Sequence, residues 1–230
     1  MNLKQPLITS ISTQMTQISI SYAITVHNEH EELKRLLNQL FSVLGENDEI
    51  VIQADQGKVT DEVISVLFPH KRDKRFVYIE YPLNKDFSAF KNNLFKYCTK
   101  DYIFNIDADE YLSNELFNGV KSLLNTYNDI EAFRLPRINT VSGITPEYVR
   151  LMGWNVNDLG WVNWPDSQLR IVKNTENIHW VGKVHERLEG FKNYVNMPYQ
   201  YNGEPYSEWA LIHPKTFERQ KVQNDLYNTI

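Results

Sequence analysis

Two aspartates separated by one residue follow a short apolar run in the middle of the chain. Residues 102–106 read Tyr-Ile-Phe-Asn-Ile, and Asp107-Ala108-Asp109-Glu110 come directly after them. In extended backbone, side chains at positions i and i+2 point the same way, so Asp107 and Asp109 can present two carboxylates to one point. Such oxygen ligands suit Mg²⁺ or Mn²⁺, which usually share their coordination with substrate phosphates. The pair predicts a metal-assisted phosphate site; an acidic turn that caps the next helix is the alternative.

The elements that position this pair are predicted from alternating apolar runs and amphipathic segments. Strands are predicted at 18–26, 49–54, 76–81 and 102–106, and helices at 33–44, 61–68, 87–97 and 116–127. Alternating strands and helices imply a mostly parallel sheet that is covered on both faces. Ligands of such sheets bind beyond the carboxyl ends of the strands. Asp107 and Asp109 are therefore expected at a ligand-binding edge.

Length, charge and composition restrict the class of protein. A chain of 230 residues suits one domain with a sizeable core. Its 24 basic and 29 acidic residues give a net charge of 24 − 29 = −5, which argues against a nucleic-acid partner. The single cysteine, Cys98, cannot form an internal disulfide and is predicted to be a buried thiol.

The apolar runs of the chain are all shorter than the roughly 18 residues that a membrane-spanning helix needs. The N-terminus also lacks a basic region followed by an apolar core. We therefore expect no integral membrane segment and a cytoplasmic protein. A lipid-linked ligand would still allow a peripheral position at the membrane.

The chain is expected to form one domain over residues 18–230, preceded by a tail. Residues 1–17 are rich in Ser, Thr and Gln without clear periodicity, which is typical of such a tail. The character of the sequence changes after Val141, because all five tryptophans lie in residues 142–230 among irregular segments. This half is expected to pack on the same sheet as residues 18–141.

Seven short motifs occur in an order and spacing that resemble one known family. They are AITVHNE (23–29), IQADQG (52–57), NKDFSAFKN (84–92), FNIDADE (104–110), WPDSQLRIVKN (164–174), GKVHE (182–186) and LIHP (211–214). Together they resemble the inverting glycosyltransferases of family 2, over most of the chain. The resemblance implies a GT-A fold, which is Rossmann-like with a mostly parallel central sheet and helices on both faces. It also implies a nucleotide-sugar-binding half (18–141) and an irregular, aromatic-rich, acceptor-binding half (142–230).

The resemblance implies a donor pocket at the ends of the first two strands. Val26, His27, Asn28 and Glu29 would contact the nucleoside, and Asp55 would hydrogen-bond the base. The donor implied is a nucleotide sugar, with a UDP-sugar as the first expectation.

The phosphates and the ion are assigned by the same resemblance. Asp86 and Lys91 would lie near the nucleotide and its phosphates, Asp107 near the ribose or the ion, and Asp109 directly on Mn²⁺ or Mg²⁺. Similar chains commonly have arginine where this one has Lys91, and the point charge of a lysine does not reproduce a bidentate fork.

An inverting transfer needs a base that takes the proton from the acceptor hydroxyl. Glu186 is the predicted base, because it lies in the segment where the family places that residue, and Asp166 is the second candidate. Alternatively, Glu186 is a surface ion-pair partner of Lys183 or Arg187.

Two histidines and one strand complete the candidate site. The family often supplies a late histidine to the ion; His213 fits by order, and His185 is the alternative. Gln168 and Arg170 are spaced i and i+2 on a predicted strand, so they reach donor phosphates or the acceptor, or bind a neighbouring carboxylate.

The tryptophans of the second half are candidates for an acceptor platform, because sugar rings present apolar faces that stack on aromatic rings. Trp154, Trp161 and Trp164 lie in a loop rich in Gly and Asn and are the best candidates for exposure. Core packing is the alternative for each of them.

The expected activity is metal-dependent transfer of a sugar, with inversion, to the hydroxyl of a saccharide, lipid-linked or protein acceptor. A nucleotidyltransferase acting on sugar phosphates is the second hypothesis, but its Gly-rich phosphate loop is missing after the first strand. A phosphohydrolase would want a Gly-Thr turn where Glu110-Tyr111 stand. A catalytically inactive module that binds a sugar or a partner is the non-enzymatic alternative.

Overall fold

The computed structural model describes residues 18–227, so the tail predicted at 1–17 lies outside the described residues. The strands are β1 Ile20–Val26, β2 Glu49–Asp55, β3 Phe76–Tyr81, β4 Tyr102–Asp107, β5 Tyr111–Leu112, β6 Ala132–Leu135, β7 Arg137–Ser142, β8 Gln168–Lys173, β9 His179–Val181, β10 Arg187–Glu189, β11 Tyr194–Asn196, β12 Gln200–Tyr201, β13 Glu204–Pro205 and β14 Leu211–Thr216. The helices are α1 His30–Phe41, α2 Asp61–Leu67, α3 Phe87–Phe95, α4 Asn114–Thr126, α5 Pro146–Leu151 and α6 Phe217–Tyr227, with a 3-10 helix at Phe68–His70. Within the described chain, no helix has the length and apolar character to cross a membrane.

A seven-stranded sheet forms the centre of the fold, in the order β11-β6-β8-β4-β1-β2-β3. Strands β4, β1, β2 and β3 are mutually parallel, as are β11 and β6. Strand β8 lies antiparallel between β4 and β6, an insertion that the sequence pattern did not predict. The prediction of a mostly parallel sheet is confirmed, and the four predicted strands and helices of the first half differ from the observed ones only at their ends.

Helices cover both faces of this sheet because side chains alternate along each buried strand. On one face, Phe104 of β4 is buried in a core cluster with Leu36 of α1 and Leu116 of α4. On the other face, Ile103 is buried in a second cluster with Leu94 of α3. The predicted helix cover on both faces is confirmed.

The predicted environment of Cys98 is also confirmed. Its side chain is buried in the second cluster, and its Sγ contacts the carbonyl oxygen of Leu94 at 3.6 Å. Burial raises the pKa of the Cys98 thiol to about 12, so this residue is a core thiol and not a nucleophile.

A smaller sheet carries the late part of the chain back to the acidic edge. Its order is β5-β14-β7, with β14 parallel to β7 and antiparallel to β5. In this register His213 pairs with Asn139, and Leu211 pairs with Leu112. Because β5 begins two residues after Asp109, this pairing brings the side chain of His213 to the acidic turn.

Candidate active site

A cavity of about 1270 Å³ opens at the carboxyl ends of β1 and β4. These two strands are neighbours, and the chain runs from β1 to β2 and β3 on one side before it returns to β4 on the other. Thr25, the next-to-last residue of β1, is the register partner of Asp107, the last residue of β4. This is the switch point at which open α/β sheets bind ligands. The volume exceeds the roughly 300–1,000 Å³ of most small-molecule sites, so two substrates have room there together.

The two aspartates line this cavity from different backbone environments. Strand β4 ends at Asp107, and the amide of Glu110 donates to the carbonyl oxygen of Asp107 at 2.9 Å. Asp109 therefore lies in a turn, and the expectation that both carboxylates stand on extended backbone is wrong. Both still line the cavity, but each has its own partners.

Asp107 is held by two cations, Arg170 beneath the cavity floor and Lys91 in the cavity wall. Its Oδ2 lies 3.0 Å from Nη2 of Arg170, and its Oδ1 lies 3.9 Å from Nζ of Lys91. Burial would raise the pKa of Asp107, but the charges of Arg170 and Lys91 outweigh it and hold that pKa well below its usual range. Asp107 is therefore an ionised carboxylate, and Arg170 and Lys91 balance its negative charge.

Arg170 does not line the cavity; it lies beneath Asp107 and is 2% exposed. Its Nη2 also contacts Oε1 of Glu110 at 2.6 Å. Burial would lower the pKa of Arg170, but the charges of Asp107 and Glu110 raise it. Arg170 was predicted either to reach a substrate or to bind a neighbouring carboxylate. In the structure it binds the carboxylates of Asp107 and Glu110.

Glu110 is a part of the site that the sequence alone did not single out. It is fully buried, accepts from the amide of Asp107 at 3.1 Å and contacts Nη1 of Arg137 at 3.1 Å. Arg137 in turn donates from Nη2 to Asp166 at 2.6 Å. These ion pairs form a chain along the cavity floor from Asp107 to Asp166 and fix the acidic turn.

Asp109 has a different set of partners, His213 and Lys215 of β14. Its Oδ2 lies 3.1 Å from Nε2 of His213 and 3.4 Å from Nζ of Lys215. Burial would raise the pKa of Asp109, but the hydrogen bond with His213 and the charges of His213 and Lys215 lower it to about 2. Asp109 is therefore an ionised carboxylate at neutral pH, next to an imidazole nitrogen.

The tautomer of His213 follows from its other neighbour, Asn139. Nδ2 of Asn139 donates to Oδ2 of Asp166 at 2.7 Å, which leaves its Oδ1 facing Nδ1 of His213 at 2.7 Å. An amide oxygen only accepts, so Nδ1 carries a proton. In the neutral imidazole, Nε2 then presents its lone pair towards Asp109. A cation between these two atoms would be bound by both of them.

The donor set fits a divalent ion that is completed by a substrate. Two ligands at about 2.1 Å from one ion, at a right angle to each other, lie about 3 Å apart, close to the 3.1 Å between Asp109 and His213. Among residues 18–227, no group of three His, Cys, Asp or Glu side chains is arranged to hold an ion by itself. An ion here would therefore need oxygens from water or a bound phosphate.

The end of β1 forms one wall of the cavity with the four residues predicted to contact a nucleoside. Oε2 of Glu29 accepts from the amides of His27 and Asn28, at 2.8 and 3.0 Å. This carboxylate fixes the turn between β1 and α1. Val26, at the end of the strand, is buried and contributes an apolar surface.

Asp55 lies at the end of β2 on the same wall of the cavity. Its Oδ1 accepts from the amide of Leu83 at 2.9 Å, and its Oδ2 pairs with Nζ of Lys58 at 3.2 Å. By contrast, Asp86 does not line the cavity: it caps α3 by accepting from the amide of Ala89 at 2.9 Å.

Lys91 and Glu186 form an ion pair inside the cavity. Nζ of Lys91 lies 2.7 Å from Oε1 of Glu186 and 4.5 Å from the ring centroid of Trp180. Lys91 is 8% exposed, so its charge is largely removed from water. Neither Lys183 nor Arg187, the surface partners considered from the sequence, makes the closest contact with Glu186.

Three further residues of the predicted site also lie at the cavity. Asp166, Gln168 and His185 all line it. Asp166 is bound by Arg137 and Asn139, as described above, whereas His185 is exposed on the loop between β9 and β10.

Of the three tryptophans considered for an acceptor platform, Trp154 lines the same cavity, and Trp161 and Trp164 line a different cleft.

A mostly parallel sheet with this acidic switch point defines a GT-A class α/β protein. The family model described as Glycosyl transferase family 2 matches residues 21–179, more than half of the chain. The chain belongs to glycosyl transferase family 2.

Two curated relatives match a shorter part of the chain. They are the SPbeta prophage-derived glycosyltransferase SunS of Bacillus subtilis (strain 168) and glycosyltransferase SunS of Bacillus phage SPbeta. Each is 34% identical over 98 residues, which are 42% of this chain and 21% of the relative. The chain thus aligns with about a fifth of the length of these relatives.

A solved structure of similar fold is S. aureus TarS 1-349 in complex with UDP-GlcNAc. The TM-score is 0.52 at 12% identity, and the match covers 83% of this chain and 62% of that one. At this identity the likeness concerns the fold.

Proposed function

We propose that this protein is a metal-dependent glycosyltransferase that moves a sugar, with inversion, from a nucleoside diphosphate sugar to an acceptor hydroxyl. The observation that carries this proposal is the contact of Asp109 with Nε2 of His213 at 3.1 Å, at the switch point of the sheet. Family membership and the size of the cavity support the same reading.

The nucleoside of the donor would lie against the ends of β1 and β2. Val26 offers an apolar surface, and the base would reach Asp55, whose carboxylate is held by Leu83 and Lys58. The diphosphate would then extend towards the ends of β4 and α3, where Lys91 and the acidic turn lie.

The divalent ion would be held by Asp109 and by Nε2 of His213. Asp107, already neutralised by Arg170, would face the ribose or a water on the ion. When bound, the ion acts as a Lewis acid that neutralises the charge developing on the diphosphate. Lys215, whose Nζ lies 3.4 Å from Oδ2 of Asp109, would share in balancing the charge of this carboxylate.

Glu186 would be the base, and Lys91 would couple it to donor binding. In the structure Lys91 holds the Glu186 carboxylate at 2.7 Å. The donor diphosphate would draw the ammonium group away from Glu186, because it carries two negative charges and a carboxylate carries one. Glu186 would then be free to accept the proton of the acceptor hydroxyl.

The transfer itself involves two bonds at the anomeric carbon. The acceptor oxygen bonds to this carbon while the bond to the diphosphate oxygen breaks, and Glu186 takes the hydroxyl proton. Attack from the face opposite the leaving group inverts the configuration. The remaining volume of the cavity, next to Trp154 and Gln168, would hold the acceptor.

Donor turnover tests this proposal without knowledge of the acceptor. The purified protein is incubated with UDP-glucose, UDP-GlcNAc or GDP-mannose, each with Mn²⁺ or with EDTA, and release of the nucleoside diphosphate is measured. We expect slow release from one donor with Mn²⁺ and none with EDTA. Release that is the same in EDTA, or no release from any donor together with no nucleotide binding, would contradict the proposal.

A further inference from the structure

A second, smaller cleft of about 260 Å³ lies on the other side of the loop that walls the large cavity. Along this loop, Trp154, Val162 and Asn163 line the large cavity, whereas Trp161 and Trp164 line the small cleft. The backbone is pinned by Asn163, whose amide donates to the carbonyl oxygen of Asn155 at 2.7 Å. The two spaces therefore share one wall.

The opposite wall of the cleft is a short hairpin of β12 and β13. Its turn, Asn202-Gly203, has positive φ angles of 50° and 87°, as tight two-residue hairpin turns require. The amide of Tyr206 donates to the carbonyl oxygen of Tyr199 at 2.8 Å, which ties the base of the hairpin. This hairpin presents Tyr199 and Gln200 to the cleft.

The chemistry of the lining combines aromatic rings with side-chain amides. The rings of Trp161 and Trp164 pack with centroids 4.7 Å apart, and Tyr199 is 42% exposed. Asn155, Asn157 and Gln200 supply groups that both donate and accept hydrogen bonds. Of the side chains that the structure describes around this cleft, none carries a charge.

We propose that this cleft binds one ring of a neutral saccharide. A pyranose has an apolar face for the aromatic rings and a rim of hydroxyls for the amides. A nucleotide or a phosphorylated ligand is disfavoured because the lining offers no cation for its charge. The volume is below the roughly 300–1,000 Å³ of sites for larger ligands, which limits the occupant to about one ring.

The saccharide is a distal ring of the acceptor, an assignment that rests on the proposed function. Sugar binding itself follows from the lining alone. The shared loop would let one acceptor chain place its reacting end in the large cavity and another ring in the cleft. Asp166, directly after Pro165 of the cleft, already faces the large cavity.

Saturation-transfer NMR tests the cleft with methyl pyranosides of glucose, galactose, mannose and N-acetylglucosamine. We expect at least one of them to bind, and UDP with Mn²⁺ not to displace it. Trp161→Ala and Tyr199→Ala should each weaken it about tenfold, since an aromatic contact of this kind contributes about one factor of ten. Phe68→Ala, which removes an aromatic ring 69% exposed outside the cleft, should leave binding unchanged.

Three results would overturn the proposal: no pyranoside binds, both aromatic variants bind as the wild type does, or UDP with Mn²⁺ displaces the sugar. Because Tyr199 is exposed, Tyr199→Ala tests the cleft even if Trp161→Ala does not fold. UDP binding in the same samples reports on the transferase site, so failure of the cleft and failure of the proposed function are distinguishable.

Discussion

Nε2 of His213 lies 3.1 Å from Oδ2 of Asp109, although 104 positions separate the two residues in the sequence. Pairing of β14 with β7 and β5 produces this contact, because it sets His213 beside Asn139 and next to the turn that follows β4. The metal chemistry proposed for this family member therefore depends on a strand from the last part of the described chain.

Asn139 is expected to set the metal affinity without touching the ion. Replacing it in Asn139→Ala removes the acceptor of the Nδ1 proton and frees His213 to rotate or change tautomer. Loss of such a supporting contact typically weakens metal binding by about 10–100-fold. Titration of Mn²⁺ in the presence of UDP measures the effect. Asn125→Ala removes an amide on α4, outside the site, and should bind as the wild type does.

The Asn139→Ala titration also has a result that would refute the role assigned to this residue. Unchanged Mn²⁺ affinity in a folded variant would mean that the orientation of His213 does not matter for the ion.

Glu186→Gln is expected to abolish transfer while nucleotide binding remains. A positioned base typically contributes about 10²–10⁴-fold to the rate, and the amide cannot accept the proton. Donor turnover and calorimetry on the same preparation separate the two effects. Glu189→Gln is the matched control, because Glu189 lies three residues later and is exposed beside Arg187. Equal turnover by the two variants would exclude Glu186 as the base.

Arg170→Met is expected to destabilise the fold. The variant removes the buried cation that Asp107 and Glu110 share, and breaking a buried pair in this way costs about 3–5 kcal/mol. Urea unfolding measures the loss. Arg150→Met removes an exposed pair with Glu147 and should cost about 0–1 kcal/mol. A similar loss for both variants would contradict a structural role for Arg170.

The sequence predicts which strand ends line the cavity, because local patterns mark those ends. The buried runs that become β1, β2 and β4 each end in polar residues, and parallel strands bring those ends to one edge. Asp109, predicted from this pattern, and Asp55, implied by the family resemblance, both line the cavity. Asp86 shows the limit: it has the same residue type near the same edge, but the structure uses it to cap α3.

The floor of the site could not be predicted, because it depends on which strands become neighbours. Arg170 lies on a strand that the pattern identifies, yet the pattern does not say that this strand inserts antiparallel next to β4. That insertion buries Arg170 under Asp107 and gives Glu110 its partner. Asn139 is one polar residue on a short strand, and its role appears only when β14 pairs with β7.

Calorimetry of the wild type and of Asp109→Ala with UDP, GDP and dTDP, each with and without Mn²⁺, tests the central claim most directly. We predict that one nucleotide binds only with Mn²⁺ and that Asp109→Ala abolishes this binding, whereas Asp129→Ala, at an exposed position outside the site, retains it. Nucleotide binding that does not need Mn²⁺ or Asp109, or no binding to any of the three, would contradict the account.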